Sequence, residues 1–370
     1  MTTATPTRAA PLKVVRPVDE LTMQALDLVQ AEYDKYIVFP SAEHRDAVTL
    51  WILHTHVFRS FETTPRLSVR SKEPGSGKSR VLDIAGHLVP GPAMAIDMTP
   101  AVMFRTLERG NVTMFIDEAD TIWGKGGSGS SHTQRRAVIN AGHHMNGTVM
   151  RPQGVDDVRE FNVFGPMALA GIGRLPETVW TRSVEIPMRR RKPGDPKVKA
   201  FRYREAADGL KAARAACEAW AARAATPLKY SRPELPVQDR SADVWEPLIA
   251  IADMASEEWS IRARKACEKL DREQKGEELS AEAELVAAAL EAFGEAEALA
   301  VAEFATRMRK LDGWQDISSR DAARMLADMG IRATTVRFDG RPTRAYKRAD
   351  FRKSEGEAHA MGDAAQQDTR

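Results

Sequence analysis

The chain has 370 residues, 29% of them charged, a net charge of +2 and two cysteines. That length admits two or three domains, and the near-balance of charge excludes a chain-wide polyanion-binding surface, leaving only local basic clusters for such work. Cys217 and Cys267 sit within helical patterns, which argues against a disulfide framework or a zinc site. No apolar run approaches the about 18 residues that cross a bilayer, so a cytoplasmic chain without a membrane partner is expected.

In chain order, residues 1–18 are rich in Thr, Ala, Pro and Arg and are expected to be a flexible N-terminus. Residues 19–62 carry two helical patterns, the second with Val48, Leu50, Trp51, Leu53, Val57 and Phe58 as its apolar side. A core domain is expected over 63–193. It opens with the short β-branched strand Arg66–Ser71 and the run Ser71-Lys72-Glu73-Pro74-Gly75-Ser76-Gly77-Lys78-Ser79, followed by helical spacing at Val81, Leu82, Ile84 and Ala85. Such a strand–loop–helix cradles phosphates: Gly75 and Gly77 let backbone N–H groups curl inward, Lys78 reaches the β/γ-phosphates, and the Ser79 hydroxyl holds Mg²⁺. The nucleotide-binding stretch is therefore Pro74, Gly75, Ser76, Gly77, Lys78, Ser79 and Arg80. Lys72 stands where the strict pattern has glycine. That glycine shapes the strand exit without touching phosphate, so a residue of negative φ can replace it.

Ala93–Met98 reads as a strand, and Thr99-Pro100 caps a helix through Leu107. Thr113–Ile116 is an apolar strand that runs into Asp117-Glu118-Ala119-Asp120. It would deliver Asp117 to the metal shell and Glu118 to a water poised for attack. A glycine/serine loop over 124–131 leads to a helix from Thr133 to His143. A hairpin follows, Thr148–Arg151 against Val158–Phe161, then strand Pro166–Ile172, helix Pro176–Trp180 and strand Ser183–Met188. Strands alternating with helices predict a parallel sheet with helices on both faces. Residues 194–300 read as a helical lid with an acidic stretch, Lys275–Ala300, expected as a solvated amphipathic helix or linker.

Residues 301–353 predict a small winged-helix-like module: helix Glu303–Leu311, a helix Arg320–Met329 capped by Ser318 or Ser319, and a hairpin Thr334–Phe338/Arg344–Lys347 turned by Asp339-Gly340. Arg337, Arg344 and Lys347, interleaved with Phe338 and Tyr346, make this hairpin the candidate nucleic-acid surface. Residues 354–370 are expected to be a disordered tail. His54, His56, His143 and His144 lack ligand spacing and read as packed or polar histidines. The run Arg189-Arg190-Arg191-Lys192 reads equally as a phosphate-backbone contact or a solvated strand end.

The stretch from Glu73 to Ser79 is similar to the phosphate loop of AAA+ ATPases, and the chain from about 30 to 352 resembles a bacterial and phage family known mainly as an uncharacterised domain. That family is often found in replication and helicase–primase-like proteins of mobile elements. The residues carrying the second resemblance include 47–56, 64–83, 114–122, 139–144, 158–191 and 239–253. The AAA+ resemblance implies that Arg182 is a finger reaching the neighbouring subunit's γ-phosphate, and that Arg240 is a lid arginine touching the γ-phosphate. It also implies that Lys125 and the hairpin bearing Arg151 and Arg159 line a ring's channel. One departure stands out. AAA+ proteins place a polar residue at the end of the strand beside the acidic-motif strand, whereas here that strand ends Ala170-Gly171-Ile172-Gly173. Asn140, Asn146 or Arg174 would have to substitute, or turnover would be slow.

The expected function is thus a Mg²⁺-dependent ATPase, with Lys78, Glu118 and Arg182 catalytic and Ser79 and Asp117 on the metal. It would act on DNA as a ring-forming helicase, translocase or helicase loader of a phage or mobile element. A homo-oligomer, with a hexamer among the open sizes, and other replication proteins are the expected partners. The alternative is a slow, DNA-bound ATP switch that unwinds nothing. A small-molecule kinase is disfavoured by Glu118 beside Asp117 and by the basic terminal module.

Overall fold

The computed structural model describes residues 19–95, 98–123, 130–153, 157–173, 175–311, 314–315, 317–338 and 341–351. The expectations for 1–18, 354–370, Lys125, Arg174 and the Asp339-Gly340 turn lie outside these residues. The chain divides into two compact units, one to Asp271 and one from Arg272.

The first unit begins with α1 (Glu20–Tyr36) and α2 (Ala42–Val57). Asp19 caps α1, accepting from the Leu21 N–H and the Thr22 hydroxyl. The elements that follow alternate: β1 (Arg66–Ser71), α3 (Lys78–Leu88), β2 (Pro92–Ala95), α4 (Pro100–Glu108), β3 (Thr113–Ile116), α5 (Asp120–Trp123), α6 (Ser130–Ala141), the hairpin β4 (Thr148–Gln153) and β5 (Asp157–Asn162), β6 (Met167–Ile172), α7 (Glu177–Trp180) and β7 (Ser183–Pro187). Helices α8 (Tyr203–Lys229), α9 (Asp239–Ala255) and the start of α10 (Glu257–Phe293) complete the unit.

Five strands form one sheet in the order β2-β3-β6-β1-β7, and every neighbouring pair is parallel. Strand β6 therefore lies between β1 and the acidic-motif strand β3. Successive side chains serve opposite faces, as the period of two requires. Leu67, Val69, Phe115, Ala168, Ala170, Val184 and Ile186 pack under one helical layer, while Met114, Ile116, Met167 and Leu169 meet α4 and α6 on the other. Helices cover both faces, which is why β3 reads as an apolar run and why even the polar Arg66 and Ser68 of the alternating β1 are buried.

The first layer joins segments that the sequence had kept apart. Helix α2 is buried along almost its whole length, so it needs cover all round. The cover comes from the far end of the unit. Trp51 shares a core with Trp220, Leu248, Ile251 and Trp259. Arg262 pairs with Asp46 at 2.6 Å, and Lys269 with Glu43 at 2.9 Å. The N-terminal helices and α8–α10 are therefore one packed layer, not separate pieces at 19–62 and 194–300.

The second unit holds the remainder of α10, then β8 (Ala298–Ala300), α11 (Val301–Met308), α12 (Ser319–Asp328), β9 (Thr334–Phe338) and β10 (Arg341–Lys347). Its antiparallel sheet has the order β8-β10-β9. Leu285, Val286, Ala289 and Phe293 of α10 share its core with Phe304, Leu326, Tyr346 and Phe351. The stretch expected as a solvated amphipathic helix or linker is helical to Phe293, and its sparse apolar residues, which recur on one helical face, enter the unit's core. Ser318 is the cap of α12, its hydroxyl accepting from the Asp321 N–H at 3.0 Å.

Candidate functional site

Because the sheet is parallel, the loops after β1, β3, β6 and β7 all leave from one edge, where open α/β sheets bind ligands. The loop after β1 is shaped by two glycines in left-handed conformations, Gly75 (φ 76°) and Gly77 (φ 91°). Gly77 is the N-cap of α3, so the unpaired N–H groups of that helix's first turn face the loop. Outside glycine, positive φ among the described residues occurs at Asn111, Glu118 and Asp239. Lys72 thus exits the strand in an ordinary conformation, as expected. The Lys78 ammonium folds back across the loop, donating to Ser71 Oγ at 2.6 Å and lying 3.5 Å from the Glu73 carbonyl and Ser76 Oγ. Ser76 is buried; Ser79 is exposed on the first turn of α3.

Strand β3 ends two strands from β1, which sets Asp117 and Glu118 about 10 Å from the loop strand along the hydrogen-bonding direction. Asp117 Oδ1 accepts from the Glu118 N–H at 2.9 Å. Glu118 itself is exposed and held at φ 53°, a conformation that costs energy for any side chain and recurs at functional sites.

The structure accounts for the missing side chain at the end of β6. A Cβ on Gly171 would stand 2.8 Å from Asp120 Oδ1 and 3.1 Å from the Asp120 nitrogen. The turn after β3 lies directly on β6: the Ala119 N–H donates to the Ala170 carbonyl, and the Ile172 N–H to Asp120 Oδ1 at 3.0 Å. A polar atom does reach this position, but it comes from Asp120. The signal was present in the second aspartate of the acidic motif, though nothing in the spacing tied it to Gly171. Asn140 and Asn146 lie elsewhere. Asn140 Nδ2 reaches Thr178 Oγ1, and the Asn146 N–H donates to His144 Nδ1.

Arg182 and Arg240 are brought together, away from the loop after β1. Arg182 immediately precedes β7, and its carbonyl accepts from the Arg66 N–H at the start of β1. The loop leaves the other end of β1, about 17 Å along the strand. Arg240 Nη1 lies 3.3 Å from Thr181 Oγ1. Burial and the Arg240 charge lower the pKa of Arg182, against the pull of Asp243. Arg240 thus lies with Arg182 at the edge of the sheet opposite the loop.

A cavity of about 330 Å³ adjoins the loop, between the end of α1, Gly75–Gly77 and residues 198–202. Ile37, Val38, Met188 and Phe201 supply its apolar lining. Arg80 holds Phe201 by a 3.1 Å bond to its carbonyl and by lying 4.8 Å over its ring, with Tyr36 edge-on at 5.1 Å. These residues come from three distant stretches, and no motif could have assembled them.

The candidate nucleic-acid residues divide. Arg337 and Arg344 lie on one face of the β9–β10 hairpin, where they stand opposite Pro342 and Thr335, whereas Lys347 lies on the other with Arg341. All are exposed. Tyr346 does not interleave with them at the surface. It is buried against Phe304 at 5.0 Å, and desolvation raises its pKa. Arg151 lies over the Phe104 ring and Arg159 pairs with Glu108 at 3.0 Å, so both hairpin arginines already have intrachain contacts.

A family profile described as a protein of unknown function, DUF3631, matches residues 187–355. An uncharacterised 28.9 kDa protein in the xis 5′ region of Saccharopolyspora erythraea is 33% identical over 176 residues. The match spans 44% of this chain and 65% of the length of that curated relative. Among solved structures, the apo A form of the NrS-1 C-terminal region aligns with a TM-score of 0.32 and 12% identity, over 92% of this chain and 78% of that one. A similarity of that size does not speak to function.

Proposed function

We propose that the chain is a Mg²⁺-dependent ATPase acting on DNA, a ring-forming helicase, translocase or helicase loader in the replication of a phage or mobile element. One observation carries the reading: a glycine-shaped loop runs into a helix N-terminus, and two adjacent carboxylates stand at the same sheet edge with one strand between. A gap of about 10 Å leaves room for a terminal phosphate and a water. The oxygen donors fit a hard cation: the Ser79 hydroxyl and the Asp117 carboxylate would hold Mg²⁺, which neutralises charge on the transferring phosphoryl group. Loop N–H groups and Lys78 would grip the phosphates, and the cavity beside Phe201, lined by Ile37, Val38 and Met188 as well as by cations such as Arg191, would take the base. The exposed Glu118 carboxylate would accept the proton of the attacking water. Arg182 would act on the nucleotide of a neighbouring copy, and the basic hairpin would contact DNA. The mobile-element setting rests on the family resemblance and on the relative's position in the xis 5′ region.

A slow, DNA-bound ATP switch is the second reading. It is favoured at the end of β6, where Gly171 has no side chain and the Asp120 oxygen that reaches the position already accepts the Ile172 N–H. ATPase rate with and without single-stranded and duplex DNA, alongside particle mass with ATP bound, separates the two. A ring whose turnover DNA stimulates supports the motor. A monomer with slow turnover indifferent to DNA supports the switch, and no nucleotide binding at all refutes both.

A further inference from the structure

The four cations after β7 have different surroundings. Arg189 is clamped by both oxygens of Asp195, at 2.7 and 2.9 Å, and Asp195 also accepts the Lys192 N–H at 2.6 Å. The hydrogen bond from Arg189 is the largest cause holding the Asp195 carboxyl well below the usual carboxylate range. The turn after β7 is thus a fixed mount rather than a loose strand end. Arg191 lines the cavity beside the loop. Arg190 points to the phosphate loop itself: its Nε donates to the Pro74 carbonyl at 2.7 Å and lies 3.5 Å from the Glu73 carboxylate. Its guanidinium stands over Gly75, 3.6 to 4.0 Å from where a Cβ would be.

We infer that Arg190 binds the polyphosphate of a nucleotide held in the loop of its own chain. This rests on the nucleotide reading above and adds a residue to it. The present partners of Arg190 are weak competitors: both members of the Glu73 pair are about half exposed, and such pairs contribute little. A triphosphate offers several charged acceptors in the planar geometry that a guanidinium matches. Finally, Arg240 lies at the opposite edge and Arg80 is engaged with Phe201, so neither stands over the loop as Arg190 does. At Gly75 a Cβ would only just touch the guanidinium, so it is the positive φ that calls for glycine there.

The test is equilibrium titration of the full-length chain with a fluorescent ATP analogue and Mg²⁺. The set comprises wild type, Arg190→Ala, Arg190→Lys, Glu73→Gln, the Glu73→Gln/Arg190→Ala pair and Lys78→Ala. Arg190→Ala should weaken binding about tenfold or more, the size expected for losing a charged hydrogen bond, with unchanged thermal unfolding in the absence of nucleotide. Arg190→Lys should fall between, keeping the charge but not the fork. Glu73→Gln should tighten binding by freeing Arg190, and that gain should vanish in the double variant. If Arg190 were only a strut for the loop, Glu73→Gln and Arg190→Ala would weaken binding together, and the assignment would fall. Wild-type affinity in Arg190→Ala, with Lys78→Ala inactive in binding, would also remove Arg190 while leaving the nucleotide site standing. Absence of binding in wild type would remove both.

Discussion

Acidification should destabilise the first unit through a buried basic cluster at the start of β1. Arg66 is 1% exposed, and its guanidinium donates to the carbonyls of Gly165 at 2.7 Å and Ile139 at 2.9 Å. Two neutral imidazoles lie near this charge. His54, fully buried, pairs through Nε2 with Thr64 Oγ1 at 2.9 Å, and His143 donates from Nδ1 to the Thr64 carbonyl at 2.8 Å. Desolvation first, and then the charge of Arg66, pull both down from 6.5 to about 3. Below pH 6.5 the unfolded chain takes up two protons that the folded chain refuses until about pH 3, so stability is full above 6.5 and falls as pH drops. Each histidine contributes about 1.4 kcal/mol per pH unit, so the pair should cost about 4 kcal/mol between pH 7.5 and 5.0. His44 and His56, both lowered to about 4 chiefly by desolvation, push the same way. A loss of that size is a large fraction of the about 5 to 15 kcal/mol that holds a domain folded. Urea unfolding followed by tryptophan fluorescence reads it, since Trp51, Trp180, Trp220 and Trp259 are all buried in this unit. A change under about 1 kcal/mol, or the same slope in a His54→Gln/His143→Gln variant, would refute the reasoning.

The remaining predictions concern the proposed activity. Lys78→Ala should abolish nucleotide binding, whereas Glu118→Gln should retain it and turn over at least about a hundredfold more slowly; equal loss of binding in both would mean that Glu118 has another role. Converting Arg337 and Arg344 to Glu, on one hairpin face, should weaken DNA binding and flatten its salt dependence by about one unit of slope for each phosphate left without its cation. An unchanged slope would make the second unit a packing or protein-binding module. Arg182→Ala should bind ATP normally and hydrolyse it about a hundredfold or more slowly. Mixed with Lys78→Ala it should exceed the summed rates of the two preparations, and a mixture no faster than its parts, with hybrid particles confirmed by mass, would exclude a shared site.

What could be read from the chain alone was local. The strand before Lys72, the left-handed demand at Gly75 and Gly77, the apolar run delivering Asp117 and Glu118, and the caps Thr99 and Ser318 each depend on hydrogen bonds and dihedral preferences within a few residues. The alternation of strands and helices likewise carried the parallel sheet, whereas β6 beside the acidic-motif strand came from the AAA+ resemblance. Other features depend on which distant surfaces bury one another, and that free energy is summed over the whole unit rather than written at any position. The burial of α2 against α8–α10, the acidic tail of α10 turned into the core of the second unit, and Tyr346 drawn inward from a basic hairpin are of this kind. So are the positions of the arginines. A spacing cannot say that Arg240 stands at the far edge of the sheet from Lys78, or that Arg190 stands over Gly75, because both follow from how a parallel sheet sends its two edges to opposite ends of the molecule.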